Sequence, residues 1–222
     1  MIISQTPLRI SFAGGGTDIS TFYRYQIGEV ISTAIDKSVY VIVKERFDDK
    51  IVLNYTERET VESVKEIKHD LIRESMKIVG IDKGIEITTL ADIPSQGSGL
   101  GSSSSVTVGL LNALHAYRCE QVNAETLAQQ ACHIEIDLLG KPIGKQDQYI
   151  VAYGGIKFFK FKWNETVEVH SVWLRNHLYL KLNNNLLLYY TGKTRDANEI
   201  LKKQKKDTKK KMEILNSIKT HA

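Results

Sequence analysis

Residues 94–105 read Pro94-Ser-Gln-Gly-Ser-Gly-Leu-Gly-Ser-Ser-Ser-Ser105. Before this stretch, Ile85 to Ile93 is rich in Ile and Thr and stops at Pro94, as a strand does. After it, from about Ser104, Val106, Leu110, Leu114 and Tyr117 recur at helical spacing. A glycine-rich loop therefore joins a strand to a helix. Gly97, Gly99 and Gly101 allow positive φ and close approach to a ligand. The following helix turns its free N–H groups and positive dipole end toward the loop. Together these features make an anion site, and phosphate is the usual occupant. The candidate phosphate contacts are Gly97, Ser98, Gly99, Leu100, Gly101, Ser102, Ser103 and Ser104. The serines add hydroxyl donors and one candidate Mg2+ ligand. The plainer alternative is a flexible Gly/Ser loop with a serine cap; the strand before and the helix after favour phosphate.

The loop matches neither common phosphate motif. It has no lysine, so the Walker pattern is excluded. Its glycines are spaced GxGxG, and the surrounding strands do not alternate with helices as a dinucleotide fold requires.

Elsewhere the chain reads as an α+β mixture with its strands early. Leu8 to Ala13 reads as a strand, and so do 29–35, 38–46 and 50–56, with Asp36-Lys37-Ser38 as a turn. Pro7, Pro94 and Pro142 are each expected at an element boundary. A helix is expected over 61–79, ending at Gly80, and another over about 124–139. Ile156 to Trp163 and Val167 to Trp173 read as a hairpin pair, Leu186 to Thr191 as a strand and 196–219 as a last helix.

Two further segments carry chemistry. In Pro7-Leu-Arg9 … Gly14-Gly-Gly-Thr-Asp18 a glycine turn sets a carboxylate on a tight loop, where it could accept hydroxyl hydrogen bonds from a polyol or simply cap the next helix. In Glu135-Ile-Asp137 … Gly144-Lys-Gln-Asp147-Gln-Tyr149, Asp147 follows a glycine turn in a segment with few other charges. Held there it could serve as a general base, while Glu135 with a serine could hold Mg2+. The plainer readings are a cap for Asp147 and a surface helix residue for Glu135.

Composition sets the class. The 222 residues are 42% hydrophobic and 25% charged, as in an ordinary folded domain. Two cysteines, Cys119 and Cys132, exclude a disulfide framework. No signal peptide or membrane-spanning run is read, so a cytoplasmic setting is expected. Residues 196–222 hold 8 lysines against 4 acidic residues and so carry the whole net charge of +4. A solvated helix face accounts for them better than a nucleic-acid tail.

The three segments together, in this order, resemble the GHMP kinases (the galactokinase, homoserine kinase, mevalonate kinase and phosphomevalonate kinase superfamily). The first is Pro7-Leu-Arg9-Ile-Ser-Phe-Ala-Gly-Gly-Gly-Thr-Asp18, the second Pro94 to Ser105, the third Glu135 to Gln148. Within that family the wording looks most like the branch acting on D-glycero-D-manno-heptose 7-phosphate. The resemblance implies a first domain like domain 2 of ribosomal protein S5, with an uncommon left-handed crossover, followed by a ferredoxin-like domain. It assigns 1–195 to the ATP- and sugar-binding domain and 196–222 to the start of the second.

The resemblance also implies roles. The ligands are ATP, Mg2+ and a small sugar phosphate; no membrane or nucleic-acid partner is called for. Asp147 matches the catalytic aspartate, and Arg9 a basic residue near the reacting oxygen and the γ-phosphate. Gly97 to Ser104 would wrap the phosphates, and Ser103 with Glu135 would hold the metal. Gly15, Gly16, Thr17, Asp18 and Gly144 match the sugar side. Lys193 and Arg195, in Tyr190-Thr-Gly-Lys-Thr-Arg-Asp196, could grip a sugar phosphate or be ordinary surface cations. One departure is evident: the late glycine-rich third motif of the family is not found. The ferredoxin-like domain is therefore expected to be largely or wholly missing, and the face it would cover is a candidate for homo-oligomer contact.

Overall fold

The computed structural model describes residues 1–93, 99–189 and 212–222. Its centre is one long strand. β2 (Gly28–Glu45) runs 18 residues and pairs antiparallel with β1 (Ile2–Ala13) along most of its length. Opposite β1, its last part pairs with β5 (Ile85–Ala91) and its first part with β6 (Ile156–Phe161). β3 (Ile51–Asn54) runs parallel to β5, and β4 (Arg58–Val61) and β7 (Val167–Ser171) complete the sheet in the order β4-β3-β5-β2-β6-β7.

The turn expected at Asp36-Lys37-Ser38 is not there; β2 passes straight through it. The β1–β2 register shifts between Pro7↔Ser38 and Arg9↔Ala34, so extra β2 residues bulge opposite Leu8. Pro7 consequently sits inside β1, at the irregularity where its missing N–H is tolerated, and not at an element boundary. The same irregularity aims Arg9.

Strand alternation selects the core face. Ser4, Thr6 and Leu8 of β1 are buried, as are Val39, Val41 and Val43 of β2 and Ile85 and Ile87 of β5. Against them pack α2 (Asp70–Val79), α3 (Ser102–Tyr117), α4 (Ala124–Cys132) and α5 (Gln146–Tyr153), through Ile72, Met76, Leu110, Leu114, Ala128, Ala131 and Ile150. α3 lies very close to the sheet. A Cβ on Gly109 would stand 2.8 Å from Thr6 Oγ1 and 3.1 Å from Val41 Cγ2, so a larger residue there would push the helix away.

The expected helix over 61–79 is shorter. Val61 ends β4, Val64–Glu66 is a single 3-10 turn, and α2 starts only at Asp70. Val64 and Ile67, apolar positions inside that expected helix, are buried, but Glu59 holds the chain out of the helix by accepting from the backbone N–H groups of Lys68 (2.8 Å) and His69 (3.2 Å). α2 ends as expected at Gly80, where the Ile81 N–H reaches the Met76 carbonyl at 3.0 Å.

The expected helix over 124–139 divides: α4 stops at Cys132, and His133–Leu138 forms a wide π turn. The β6–β7 hairpin is present as expected. No strand forms over residues 186–189, which follow the short helix α6 (Asn176–Asn184); positions 190 and 191 of that expected strand lie outside the described residues. Of the expected last helix, Met212–Lys219 is present as α7, with Leu215 buried, and 196–211 lie outside the described residues. α1 (Ser20–Tyr23) is one short turn near which α7 rests: Lys219 Nζ donates to the Ile27 carbonyl at 3.4 Å.

Candidate active site

Three elements far apart in sequence meet beside the β1 irregularity. Arg9 leaves β1 there and reaches Asp147, in the first turn of α5. Its Nε donates to Oδ1 at 2.6 Å and its Nη2 to Oδ2 at 2.7 Å, a two-bonded fork on one carboxylate. Nη1 donates to the Gly99 carbonyl at 2.8 Å, and the Arg9 backbone N–H to the Leu100 carbonyl at 3.1 Å. Arg9 is thus tied to the glycine loop as well as to the acid. Burial works against the guanidinium charge, but Asp147 outweighs it and holds Arg9 above its ordinary pKa.

The loop's end closes over this pair. Gly101 has φ +76°, a left-handed conformation that suits glycine, and stands as the residue before α3. A Cβ there would lie 3.1 Å from Arg9 Cγ and 3.4 Å from Asp147 Oδ2. The N-terminus of a 16-residue helix therefore abuts the Arg9–Asp147 pair. Gly97 and Ser98 lie outside the described residues; Gly99, Leu100 and Gly101 form the approach to the helix and Ser102 begins it. Ser105 Oγ donates to the Pro7 carbonyl at 2.8 Å, fastening α3 to β1.

Ser103 and Glu135 are brought together, as the metal pairing requires. Glu135 is completely buried in the π turn. Ser103 Oγ donates to its Oε1 at 2.6 Å, while Ser104 Oγ and Gln148 Nε2 donate to Oε2, each at 2.7 Å. Ser104 therefore points into the protein and braces Glu135, rather than facing the loop. Lys141 Nζ completes the cluster, 2.9 Å from Ser103 Oγ and 3.2 Å from Glu135 Oε1. Sequence reasoning gave Gln148 no role and overlooked Lys141; the only hint was a lone cation six positions past Glu135. The exposed Ser103 hydroxyl and a carboxylate oxygen are hard donors, the kind Mg2+ takes.

On the other side of α5, Asp18 is buried at 2% exposure. Its Oδ1 accepts from the Gly16 N–H and its Oδ2 from the Gln146 N–H, both at 3.0 Å. It thereby caps α5 from a distance and fixes the glycine loop. Burial raises the Asp18 pKa, the backbone donors oppose the shift, and Asp147 adds to it. Gly144 is required there: a Cβ would fall 1.9 Å from Asp18 Oδ2. Thr17 is buried, donating to the Gly14 carbonyl at 2.8 Å and accepting from the Glu29 N–H at 3.0 Å. Gly15 and Gly16 remain half-buried at the loop surface. Lys193 and Arg195 lie outside the described residues.

Lys145 turns away from Asp147. Its Nζ donates to Glu165 Oε2 at 2.6 Å, in the wall of a separate cavity of about 480 Å³ that also includes Tyr23, Arg24 and His133.

Residues 59–155 match the model of the GHMP kinases N terminal domain. The chain is 32% identical over 235 residues to the D-glycero-alpha-D-manno-heptose 7-phosphate kinase of Campylobacter jejuni, aligning over 100% of its own length and 69% of that enzyme. The chain belongs to the GHMP kinase family. Among sugar kinases it also resembles the galactokinase of Pyrococcus furiosus, at 29% identity over 88% of this chain and 54% of the relative. A crystal structure of a D-glycero-D-manno-heptose 1-phosphate kinase from Bacteroides thetaiotaomicron superposes with a TM-score of 0.79 at 28% identity, covering 97% of this chain and 73% of that one. This GHMP kinase is thus a phosphotransferase of the sugar kinase group, built on the expected α+β fold. Among its described residues no helix is long and apolar enough to cross a membrane.

Proposed function

We propose that the chain transfers the γ-phosphoryl group of ATP to the anomeric hydroxyl of a sugar phosphate, D-glycero-D-manno-heptose 7-phosphate giving the 1,7-bisphosphate. The observation that carries this reading is the Arg9–Asp147 pair set against the N-terminus of α3. Phosphoryl transfer asks a protein mainly to position and to neutralise charge. The first turn of α3 and the glycine loop offer main-chain N–H groups to the phosphates. Asp147, oriented through both oxygens, accepts the hydroxyl proton as that oxygen attacks phosphorus in line, with ADP leaving. Arg9 offsets the charge gathering beside it. Asp18 and the Gly15–Gly16 loop order the sugar side, and Lys193 with Arg195 grip its phosphate. Ser103 and Glu135 would hold Mg2+, which when bound neutralises β- and γ-phosphate charge. The setting is cytoplasmic, in keeping with the free thiols of Cys119 and Cys132.

The test is an ADP-release assay across heptose 7-phosphates, galactose, fucose and arabinose, with phosphorus NMR of the product. A doublet from an anomeric phosphate on the heptose supports the proposal. Turnover of an unphosphorylated sugar instead moves the substrate to the galactokinase or fucokinase side of the family. Nucleotide binding by calorimetry without turnover of any sugar makes the chain a binding module.

A further inference from the structure

Lys141 lies on the edge of Glu135 that the kinase reading gives to a divalent cation. Its backbone N–H donates to the Glu135 carbonyl at 2.9 Å, and its side chain doubles back over the π turn to Ser103 and Glu135. A carboxylate offers about four lone-pair positions. All four at Glu135 are met: Ser103 and Lys141 on Oε1, Ser104 and Gln148 on Oε2. A metal ion can therefore ligate this carboxylate only by displacing a donor. Ser104 and Gln148 are fixed in the core, at 2% and 0% exposure. The Lys141 side chain keeps 20% exposure, and its ammonium is the one cationic partner of Glu135 among the described residues.

We infer that Lys141 is a built-in monovalent occupant of the Ser103–Glu135 cation position, and that a divalent ion must expel it. A carboxylate buried this completely needs a positive partner, and the lysine supplies one within the fold. An ammonium and a divalent ion cannot share the same two oxygens, because their charges repel at contact distance. Bound nucleotide changes the balance. Its phosphate oxygens would give the ammonium a second anionic partner, leaving Ser103 and Glu135 free to hold a divalent ion. Lys141 is thus a positioning residue that makes metal binding depend on nucleotide; this deepens the kinase reading and rests on it.

The test is Mn2+ titration followed by electron paramagnetic resonance, with no nucleotide or sugar present. Wild type is compared with Lys141→Met, Lys141→Gln and the double variant Lys141→Met/Glu135→Gln, each checked for folding by near-UV circular dichroism. Lys141→Gln keeps one donor toward Glu135 and serves if the methionine variant does not fold. The expected result is one Mn2+ bound at least tenfold more tightly in a folded single variant than in wild type, the gain vanishing in the double variant. A gain smaller than tenfold, or one that survives loss of the Glu135 charge, overturns the inference. Because no substrate is present, a negative result here leaves the kinase reading standing. Absent kinase activity, in turn, leaves the Mn2+ comparison intact.

Discussion

Arg9 and Asp147 lie 138 positions apart in sequence and share two hydrogen bonds, of 2.6 and 2.7 Å. The carboxylate proposed as the proton acceptor is therefore held in one orientation by a side chain from the first strand. Both depend on backbone irregularities: the β1–β2 register shift aims Arg9, and the Asp18-capped start of α5 presents Asp147.

Asp147→Asn keeps the shape of that side chain and removes its capacity to accept a proton. The expected loss in kcat is about a thousandfold, the scale of general base catalysis. ATP affinity by calorimetry is expected to stay within about threefold, since the role proposed for Asp147 is on the acceptor hydroxyl and not on the nucleotide. Equal loss of turnover and nucleotide binding would make the residue structural.

Arg9→Lys separates charge from geometry. A lysine keeps the positive charge but cannot grip both carboxylate oxygens and the Gly99 carbonyl at once. Losing one charge-assisted hydrogen bond of about 1.5 kcal/mol corresponds to roughly tenfold in rate. Steady-state kinetics should show that loss in kcat, with KM for ATP little changed. An unaltered kcat would mean that charge alone suffices.

Ser103 and Ser104 are adjacent, donate to the same carboxylate, and should behave differently. Ser104→Ala removes a donor from a buried carboxylate and is expected to cost about 2 kcal/mol of stability in urea unfolding. Ser103 is exposed and also accepts from Lys141, so Ser103→Ala should cost less stability and instead raise the Mg2+ concentration that turnover needs. The reverse assignment of effects would exchange their roles.

Much of this was legible in the sequence, and the gaps have physical causes. The strand before Pro94, the helix after it and the β6–β7 hairpin follow from local composition, while the pairing of Ser103 with Glu135 and the placing of Arg9 near the reacting groups come from the family resemblance that the motifs carry. The continuity of β2 through Asp36-Lys37 does not, because a bulge is set by the partner strand and not by its own residues. Periodicity also counted Val64 and Ile67 toward a helix. They are buried, but Glu59 satisfies the backbone N–H groups that the helix would have used. Lys141 was invisible for another reason: it lies past the end of the π turn at Leu138 and beyond Gly140 (φ +62°), where the chain folds back on Glu135, an offset of six that the helical i, i+4 rule does not cover.

Glu59 makes the stability depend on acid pH. Burial pushes its pKa up, but the N–H groups of Lys68 and His69 and the Tyr55 hydroxyl together hold it below its ordinary 4.5. A depressed carboxylate stabilises the fold above its unfolded pKa and loses that contribution as pH falls through the folded value. Wild type should therefore exceed Glu59→Gln in unfolding free energy at pH 7, with the difference narrowing below about pH 4.5. A difference that stays constant down to pH 3 would show that the ionised form is not what those donors favour.

Gly144→Ala tests whether the glycine loop ending at Asp18 and α5 are one mechanical unit. The added Cβ would fall 1.9 Å from Asp18 Oδ2 and 2.4 Å from its Cγ, far inside contact distance, so the carboxylate must move. Moving it breaks its bond to the Gln146 N–H and uncaps the helix that carries Asp147. Losing a cap and a buried hydrogen bond is expected to cost about 2–3 kcal/mol in unfolding experiments. Activity should fall with it. Asp18→Ala removes the two closest contacts and leaves only the Asp18 backbone carbonyl carbon at 3.0 Å, so adding Gly144→Ala to that variant should cost clearly less than it costs alone, giving a coupling that is a large part of the single-variant effect. If the two effects simply add, the glycine is needed for its own backbone and not for the acid beside it.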